Sequence, residues 1–322
     1  MTSEFEIIKR YFSDSSGDAV LGVGDDGAIL TSDSSREMVV TMDTLVCDRH
    51  FAKNADPESI GFKSLAVNLS DLAAMGARPR HILLSITLPS VHEAWISRFR
   101  DGVKVLLDRY SVGLVGGDTT KGSTLSISVT AIGDVVRGTA IRRDNMSIGD
   151  DLWVSGIVGL GAIGLLVERE LLDVDPTVKR DFLDRLHRPM PRVELGQALS
   201  GVASAAIDVS DGLVADALHL ANSSEIALEI EFDKIPVHHT LSTKKYEAMV
   251  QDCILGGGDD YELLFSAPRE MSLAIQNIAT QCDLALTRIG KAVPGRGVTI
   301  LDQGISLTRD FKKGFDHFDK CD

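Results

Sequence analysis

The sequence predicts a two-domain α+β (mixed α/β) protein. Three observations carry that expectation. Segments with strand alternation and segments with helical apolar spacing follow one another without strict βαβ regularity. The chain has 322 residues and is 44% hydrophobic, enough for two cores of ordinary size. The polar stretch Arg143 to Asp150 has linker character, which divides the chain into residues 1–145 and 146–322.

The elements follow in order. Glu4 to Phe12 has helical spacing. Met38 to Val46 alternates and is β-rich, so it reads as a strand. Pro57 stands where a helix can start, and the pattern runs to Ala74 before Gly76 ends it. His81 to Leu88 is a strand, His92 to Tyr110 a long amphipathic helix, and Gly113 to Val115 a short strand leading into Gly116-Gly117-Asp118. Leu125 to Val136 alternates as a strand. Beyond the linker the pattern gives strand 152–156, helices 160–172 and 191–202, strand 205–209, helix 212–222 and strand 226–232. A helix near 244–252 precedes a glycine loop; strand 261–266, helix 270–281 and strands near 285–290 and 297–301 complete the chain.

Bulk properties exclude several classes. A net charge of −14 argues against a nucleic-acid or anionic-membrane surface. No apolar run reaches the length of a membrane span, and the first residues lack a signal-peptide pattern. Cys47, Cys253, Cys282 and Cys321 form no Cys-x-x-Cys motif, which suits a reducing cytoplasm.

Two Gly-x-Gly-x-x-Gly strings invite a dinucleotide reading. Gly22/Gly24/Gly27 carries Asp25 and Asp26 where pyrophosphate would sit, and the two anions would repel it unless a metal intervened. Gly159/Gly161/Gly164 lies between a strand and a helix, with Asp175 where a ribose-binding acid could stand. The following segment is a helix flanked by Pro176, Pro189 and Pro191, so no βαβ unit closes and a tight, closely packed turn is expected.

Six acidic clusters carry the functional expectation: Asp25-Asp26, Asp43, Asp71, Asp118, Asp208 with Asp211, and Asp259-Asp260. Each places carboxylates beside Gly, Ser, Thr or Asn, next to an apolar run. Carboxylates that converge repel unless cations hold them, and hard divalent cations with substrate phosphates are the natural partners. Strand alternation puts Thr41 and Asp43 on one face and Val40 and Met42 on the other. Ser64, Asn68 and Asp71 form one polar stripe on helix 57–74, aimed either at solvent or into a site. Ser210 or Asp211 would suit a helix N-cap, and the N–H groups at that helix start could also meet phosphate oxygens. Gly256 to Gly258 would let backbone approach a ligand before two acids enter a strand.

Together these segments resemble the thiamine-monophosphate kinase family, within the superfamily of aminoimidazole ribonucleotide synthetase and selenophosphate synthetase. The likeness covers nearly the whole chain. It includes Gly22-Val23-Gly24-Asp25-Asp26, Asp43-Thr44-Leu45-Val46, His50-Phe51, Ala66 to Ala77, Gly116 to Thr120, Ile207 to Leu213, Gly257 to Glu262 and Gly314 to Phe318.

The resemblance implies the two-domain fold of that superfamily, with an N-terminal sheet used for homodimerisation and a C-terminal α/β domain. It implies ATP-dependent phosphorylation of thiamine monophosphate to thiamine diphosphate. Carried over by motif, Asp26, Thr41, Met42, Asp43, Asp71, Asp118, Asp208 and Asp211 would surround several Mg²⁺ ions, with Asp71, Asp118 and Asp211 catalytic. Gly117, Asp118, Arg143 and Ser210 would touch ATP; His50, Asp259 and Phe315 would meet thiamine monophosphate. Three positions depart from the family pattern: Met42 for a frequent Thr, Asp259 for the usual Glu, and Phe315 for Trp or Tyr. Rival readings are another ATP-using synthetase of the superfamily and a non-catalytic cation or nucleotide scaffold. No cysteine stands near the N-terminal glycine loop, where selenophosphate synthetases carry their reactive residue.

Overall fold

The structure is a computed structural model that describes residues 33–242 and 247–307, with 10–12, 18, 19 and 30. The expected helix from Glu4, the loop bearing Asp25 and Asp26, and Phe315 lie largely or wholly outside these residues. The chain forms two compact units: residues 1–72 with 77–138, and 73–76 with 139–322.

The first unit holds a four-stranded sheet of order β1-β4-β2-β3, built from β1 (Arg36–Val46), β2 (Arg78–Leu88), β3 (Gly113–Lys121) and β4 (Ser126–Val136). β2 and β3 are parallel and the other pairs antiparallel. The rows Thr41–Ala131–Ile82 and Asp43–Val129–Leu84 lie on the buried side, with Leu45, Ile86 and Ile127 beside them. On the other side Met38, Val40 and Met42 are 71%, 58% and 63% exposed.

Helix α1 (Pro57–Ala74) has proline at its first position. It ends at Gly76, whose backbone is left-handed, with Ala77 N–H donating to the Leu72 carbonyl. Every residue from Ile60 to Ser70 is buried, so α1 is a core helix apolar on nearly all sides rather than an amphipathic one. It crosses α2 (Glu93–Tyr110) at two glycines. A Cβ on Gly61 would lie 2.0 Å from the Phe99 carbonyl oxygen, and one on Gly102 would lie 1.8 Å from that of Glu58.

The glycine-acid segment 116–118 lies inside β3, not after a strand ending at Val115. A register shift opposite Ile82 and Leu83 absorbs one residue, and pairing with β2 then continues to Lys121. A Cβ on Gly117 would stand 1.8 Å from the Leu84 carbonyl oxygen, so glycine is what lets the ladder run on.

The second unit holds a seven-stranded sheet of order β11-β10-β7-β9-β5-β8-β6. Its strands are β5 (Asp151–Ser155), β6 (Ala205–Val209), β7 (Ala227–Glu231), β8 (Glu262–Ala267), β9 (Leu286–Val293), β10 (Val298–Asp302) and β11 (Ile305–Ser306). Its helices are α3 (Leu160–Glu168), α4 (Pro176–His187), α5 (Val193–Leu199), α6 (Leu213–Ser224), α7 (Glu247–Gly256) and α8 (Ser272–Gln281). Leu152, Val154, Ile163, Phe182, Ile207, Leu213, Leu220 and Leu264 lie in one buried apolar cluster. The helix expected to stop near residue 252 continues to Gly256, leaving only Gly257 to Tyr261 outside regular structure before β8. Among the described residues no helix is long and apolar enough to cross a membrane.

Replacing Gly102 by Ala must drive α1 and α2 apart at a backbone-to-backbone contact. We expect a loss of about 1–3 kcal/mol, read as a lower urea midpoint at constant slope. An unchanged midpoint would show that the helices do not cross there.

Candidate functional site

Asp43 stands on β1, an edge strand among the described residues, and its backbone N–H is bonded outside the sheet. The N–H donates to Asn68 Oδ1 on α1 at 2.9 Å, and Asn68 Nδ2 donates to the Ser64 carbonyl at 3.0 Å. Two turns of α1 therefore cover an exposed ladder position. Ser64 Oγ donates to the Ile60 carbonyl at 2.7 Å. Ser64 and Asn68 are fully enclosed, so this part of the polar stripe faces no solvent; Ser64 bonds within its own helix and Asn68 ties helix to strand. Asp71 ends the stripe and accepts from Thr41 Oγ1 at 2.6 Å. Thr41, Asp43 and Asp71 are thus brought together, as a hydroxyl and two carboxylates on the buried side of β1.

Met42 and Asp118 belong to the opposite side. Met42 is in register with Thr130 and Leu83. Thr44, Ser128, Ser85 and Asp118 form the next row, and Thr44 Oγ lies 2.7 Å from Ser128 Oγ. Asp118 is on β3, three strands from β1 and hence about 14 Å from Asp43 across the sheet. Gly117, beside it, is exposed. His50 sits just beyond β1, where its Nδ1 accepts the Val46 N–H at 2.9 Å. Nδ1 therefore carries no proton, and the proton of the neutral ring is on Nε2.

In the second unit two acidic loops 50 residues apart become neighbours, because β6 and β8 pair antiparallel with Val209 opposite Glu262. Asp259 N–H donates to the Ser210 carbonyl at 2.9 Å, and Tyr261 N–H to that of Val209 at 2.8 Å. Gly258 serves this contact, since a Cβ there would lie 2.2 Å from the Ser210 carbonyl oxygen, and Gly257 packs against the Cys253 carbonyl, 2.4 Å from where its Cβ would stand. Asp259 and Tyr261 both have left-handed backbones, and Tyr261 OH donates to Asp259 Oδ1 at 3.0 Å. Asp208 is buried at the end of β6; Ser210 and Asp211 are half-buried. Arg143 is exposed, and its carbonyl accepts from Ser224 Oγ at 2.7 Å.

The residue heading α6 is Gly212, not Ser210 or Asp211. The cap comes from inside the helix. Asp216 Oδ2 accepts the N–H groups of Ser210, Asp211 and Gly212, each at 3.1 Å. These three N–H groups already have a carboxyl oxygen as acceptor and are not a vacant phosphate cradle. Burial, with Asp211 nearby, raises the Asp216 carboxyl to about 7 against the lowering effect of the donors.

Asp260 does the same for α3. It accepts from Gly159 N–H at 2.5 Å and Gly161 N–H at 2.9 Å, while a Cβ on Gly164 would lie 2.4 Å from the Phe182 carbonyl oxygen. Asp175 caps α4 through Thr177 N–H at 2.9 Å. The second Gly-x-Gly-x-x-Gly string is therefore a packed turn occupied by the protein's own carboxylate, and α4, not a parallel strand, follows α3. Glu262 is buried; it accepts from Ser155 Oγ at 2.5 Å, from Arg192 Nε at 2.7 Å, and from Arg192 Nη2. This bidentate pair and the apolar side chains Ile157, Leu160, Pro189 and Met190 line a cleft with Asp259 and Asp260.

Reading the sequence missed Asp216 and Arg192, and placed Asp260 in a ligand-facing acidic cluster rather than at the start of α3. For Asp216 a signal was present: an acid in the first turn of a helix that follows a Ser-Asp-Gly turn. Arg192 offered no local signal, since its partner is 70 residues away. Thr41, Asp43, Asp71, Asp208 and Asp211, with the Met42 carbonyl, offer hydroxyl, carbonyl and carboxylate oxygens, the donor chemistry of Mg²⁺. Among the described residues no group of three or more His, Cys, Asp or Glu is arranged to hold a metal ion. Asp26, expected to join that set, lies outside them.

Burial raises the Asp260 carboxyl from 3.8 to about 8. Below about pH 4 folded and unfolded chains both hold that proton. Between about 4 and 8 only the folded chain does, so this group's contribution to stability falls as pH rises through the window, by up to about 1.4 kcal/mol per unit. Urea midpoints from pH 5 to 7.5 should therefore fall more steeply for the natural chain than for Asp260→Asn. Parallel profiles would contradict the raised value.

Comparison with known proteins agrees with this architecture. Residues 24–135 match the family of AIR synthase related proteins, N-terminal domain, and residues 147–303 match the C-terminal domain. The chain is 40% identical to the thiamine-monophosphate kinase of Haemophilus influenzae, over 98% of both chains. The kinase of Escherichia coli strain K12 is 38% identical, again over 98% of both. The crystal structure of thiamine-monophosphate kinase from Stenotrophomonas maltophilia superposes with a TM-score of 0.86 at 43% identity, covering 95% of this chain and 98% of that one. AaThiL complexed with AMPPCP and TMP gives 0.78 at 32%, covering 98% and 97%. By sequence over almost its whole length, and by fold, the chain belongs to the thiamine-monophosphate kinase family.

Proposed function

We propose that this chain transfers the γ-phosphoryl group of ATP directly to the phosphate of thiamine monophosphate, giving thiamine diphosphate and ADP. The observation that carries this is the near-full-length similarity to AaThiL, whose structure holds AMPPCP and TMP. The test is ADP formation with and without thiamine monophosphate: dependence on the acceptor supports the kinase, whereas equal rates or none would overturn it.

The acceptor is a phosphate monoester, largely dianionic near pH 7, so it needs no general base. The obstacle is bringing two polyanions together. Bound Mg²⁺ supplies charge neutralisation on the donor and leaving phosphates. The chain's own residues then orient and hold. We assign Thr41, Asp43, Asp71, Asp208 and Asp211, with Asp26, as oxygen donors to these ions, and Met42 through its carbonyl, since its thioether is a poor ligand for a hard cation. Ser210 addresses ATP through its hydroxyl, because its N–H and carbonyl are engaged by Asp216 and Asp259. Gly117 and Arg143 complete the nucleotide contacts. His50, presenting Nε2–H, together with Asp259 and Phe315 receives thiamine monophosphate; carboxylate and aromatic ring both suit a cationic thiazolium. In this reading residues 1–145 carry nucleotide, metal and dimer contacts, and residues 146–322 complete the catalytic set.

A homodimer through the first sheet is part of the proposal. Its support is the open face bearing Met38, Val40 and Met42, and the position of Asp118, which shares that face rather than the one bearing Asp43. A cytoplasmic location is proposed on cysteine usage.

Replacing Asp71 or Asp211 by Asn should lower kcat about 100-fold or more while changing thiamine monophosphate binding far less. Equal losses in binding and turnover would remove their catalytic assignment. Replacing Val40 by Asp should shift sedimentation from dimer towards monomer, and a natural chain that sediments as monomer at micromolar concentration would dismiss the dimer.

A further inference from the structure

We infer that Asp216 is a positioning residue for phosphoryl transfer, acting through the Ser210–Asp211–Gly212 turn. Three consecutive N–H groups converge on one oxygen of its carboxylate. Such a turn at a helix start is an anion-binding concavity. Here the fold fills it with a carboxyl oxygen of its own, from the first turn of α6, on a side chain only 2% exposed. A buried carboxylate is tolerated where donors surround it, and this one has the three donors of the turn.

The consequence falls on Asp211 and Ser210. Their peptide groups are pinned from one side by Asp216 and from the other by the Asp259 N–H on the Ser210 carbonyl. The directions in which both side chains leave the turn are therefore set by a residue that meets neither metal nor nucleotide. The same bonds occupy the three amides of this turn, which are therefore not offered to phosphate. Second-layer partners of this kind are worth roughly 10–100-fold in metal affinity or activity.

The inference rests on the metal and nucleotide roles given to Asp211 and Ser210. Full-length natural chain is assayed first; failure to form ADP from ATP and thiamine monophosphate overturns the functional reading, and the role of Asp216 with it. With an active natural chain, Asp216→Ala, Asp216→Asn, Asp211→Asn and the Asp216→Ala/Asp211→Asn double variant are compared well below their melting temperatures. Asp216→Ala should raise the half-saturating Mg²⁺ concentration about tenfold and lower kcat by a similar factor. Asp216→Asn keeps an acceptor oxygen and should stay within about threefold in both. In the Asp211→Asn background the alanine change should add less than about twofold, because the two residues act as one unit. Should Asp216→Ala not fold, Asp216→Ser, whose hydroxyl is too short to gather three N–H groups, is measured instead with the same expectations. Natural Mg²⁺ dependence and kcat in the folded alanine or serine variant, or full additivity with Asp211→Asn, would overturn the inference and leave Asp216 as a stability residue only.

Discussion

The antiparallel pairing of β6 with β8 is the constraint from which the second unit's chemistry follows. It sets two acid-rich loops side by side, with Val209 opposite Glu262 and the Ser210 carbonyl receiving the Asp259 N–H. Each loop would be repelled by the other if its carboxylates faced inward unpaired. The structure avoids that by giving the innermost acids dedicated partners. Asp216 takes three backbone N–H groups, Asp260 takes two, and Glu262 takes an arginine fork and a serine hydroxyl. Beside them lie the half-buried Ser210, Asp211 and Asp259, with Asp208 buried at the end of β6.

The first unit solves a related problem with a helix. An edge strand needs its outward N–H groups satisfied, and Asn68 does so for Asp43. That bond and the Thr41–Asp71 bond tie β1 to α1 at the residues assigned to metal binding. These contacts give poor helix formers such as Asn68 a structural use in a fully buried helix. The close crossing of α1 and α2 at Gly61 and Gly102 holds that helix in place.

Much of this was legible in the sequence. Helix 57–74 and strand 205–209 came out with the observed bounds, because proline, glycine and apolar periodicity all agreed there. The alternation that separated Thr41 and Asp43 from Met42 holds in the sheet. The failures have a common physical cause: glycines and acids were read as ligand-facing when their partner was distant backbone. Gly117 permits a strand to continue beside Leu84, Gly258 permits a loop to touch Ser210, and Asp260 accepts from the Gly161 amide 99 residues earlier. Such pairings join residues whose contact is created by the tertiary fold, which single-sequence periodicity does not encode.

On this reading divalent cations link the acidic residues of the site to nucleotide phosphates, while the Ser210, Asp211 and Gly212 amides are occupied by Asp216. Calorimetric titration of AMPPCP into the full-length chain, with Mg²⁺ and then with EDTA, tests it most directly. Binding that weakens by about 100-fold or more without Mg²⁺ is the expected result. Equal affinity in both conditions would mean that amides or cationic side chains hold the phosphates, and would contradict the account.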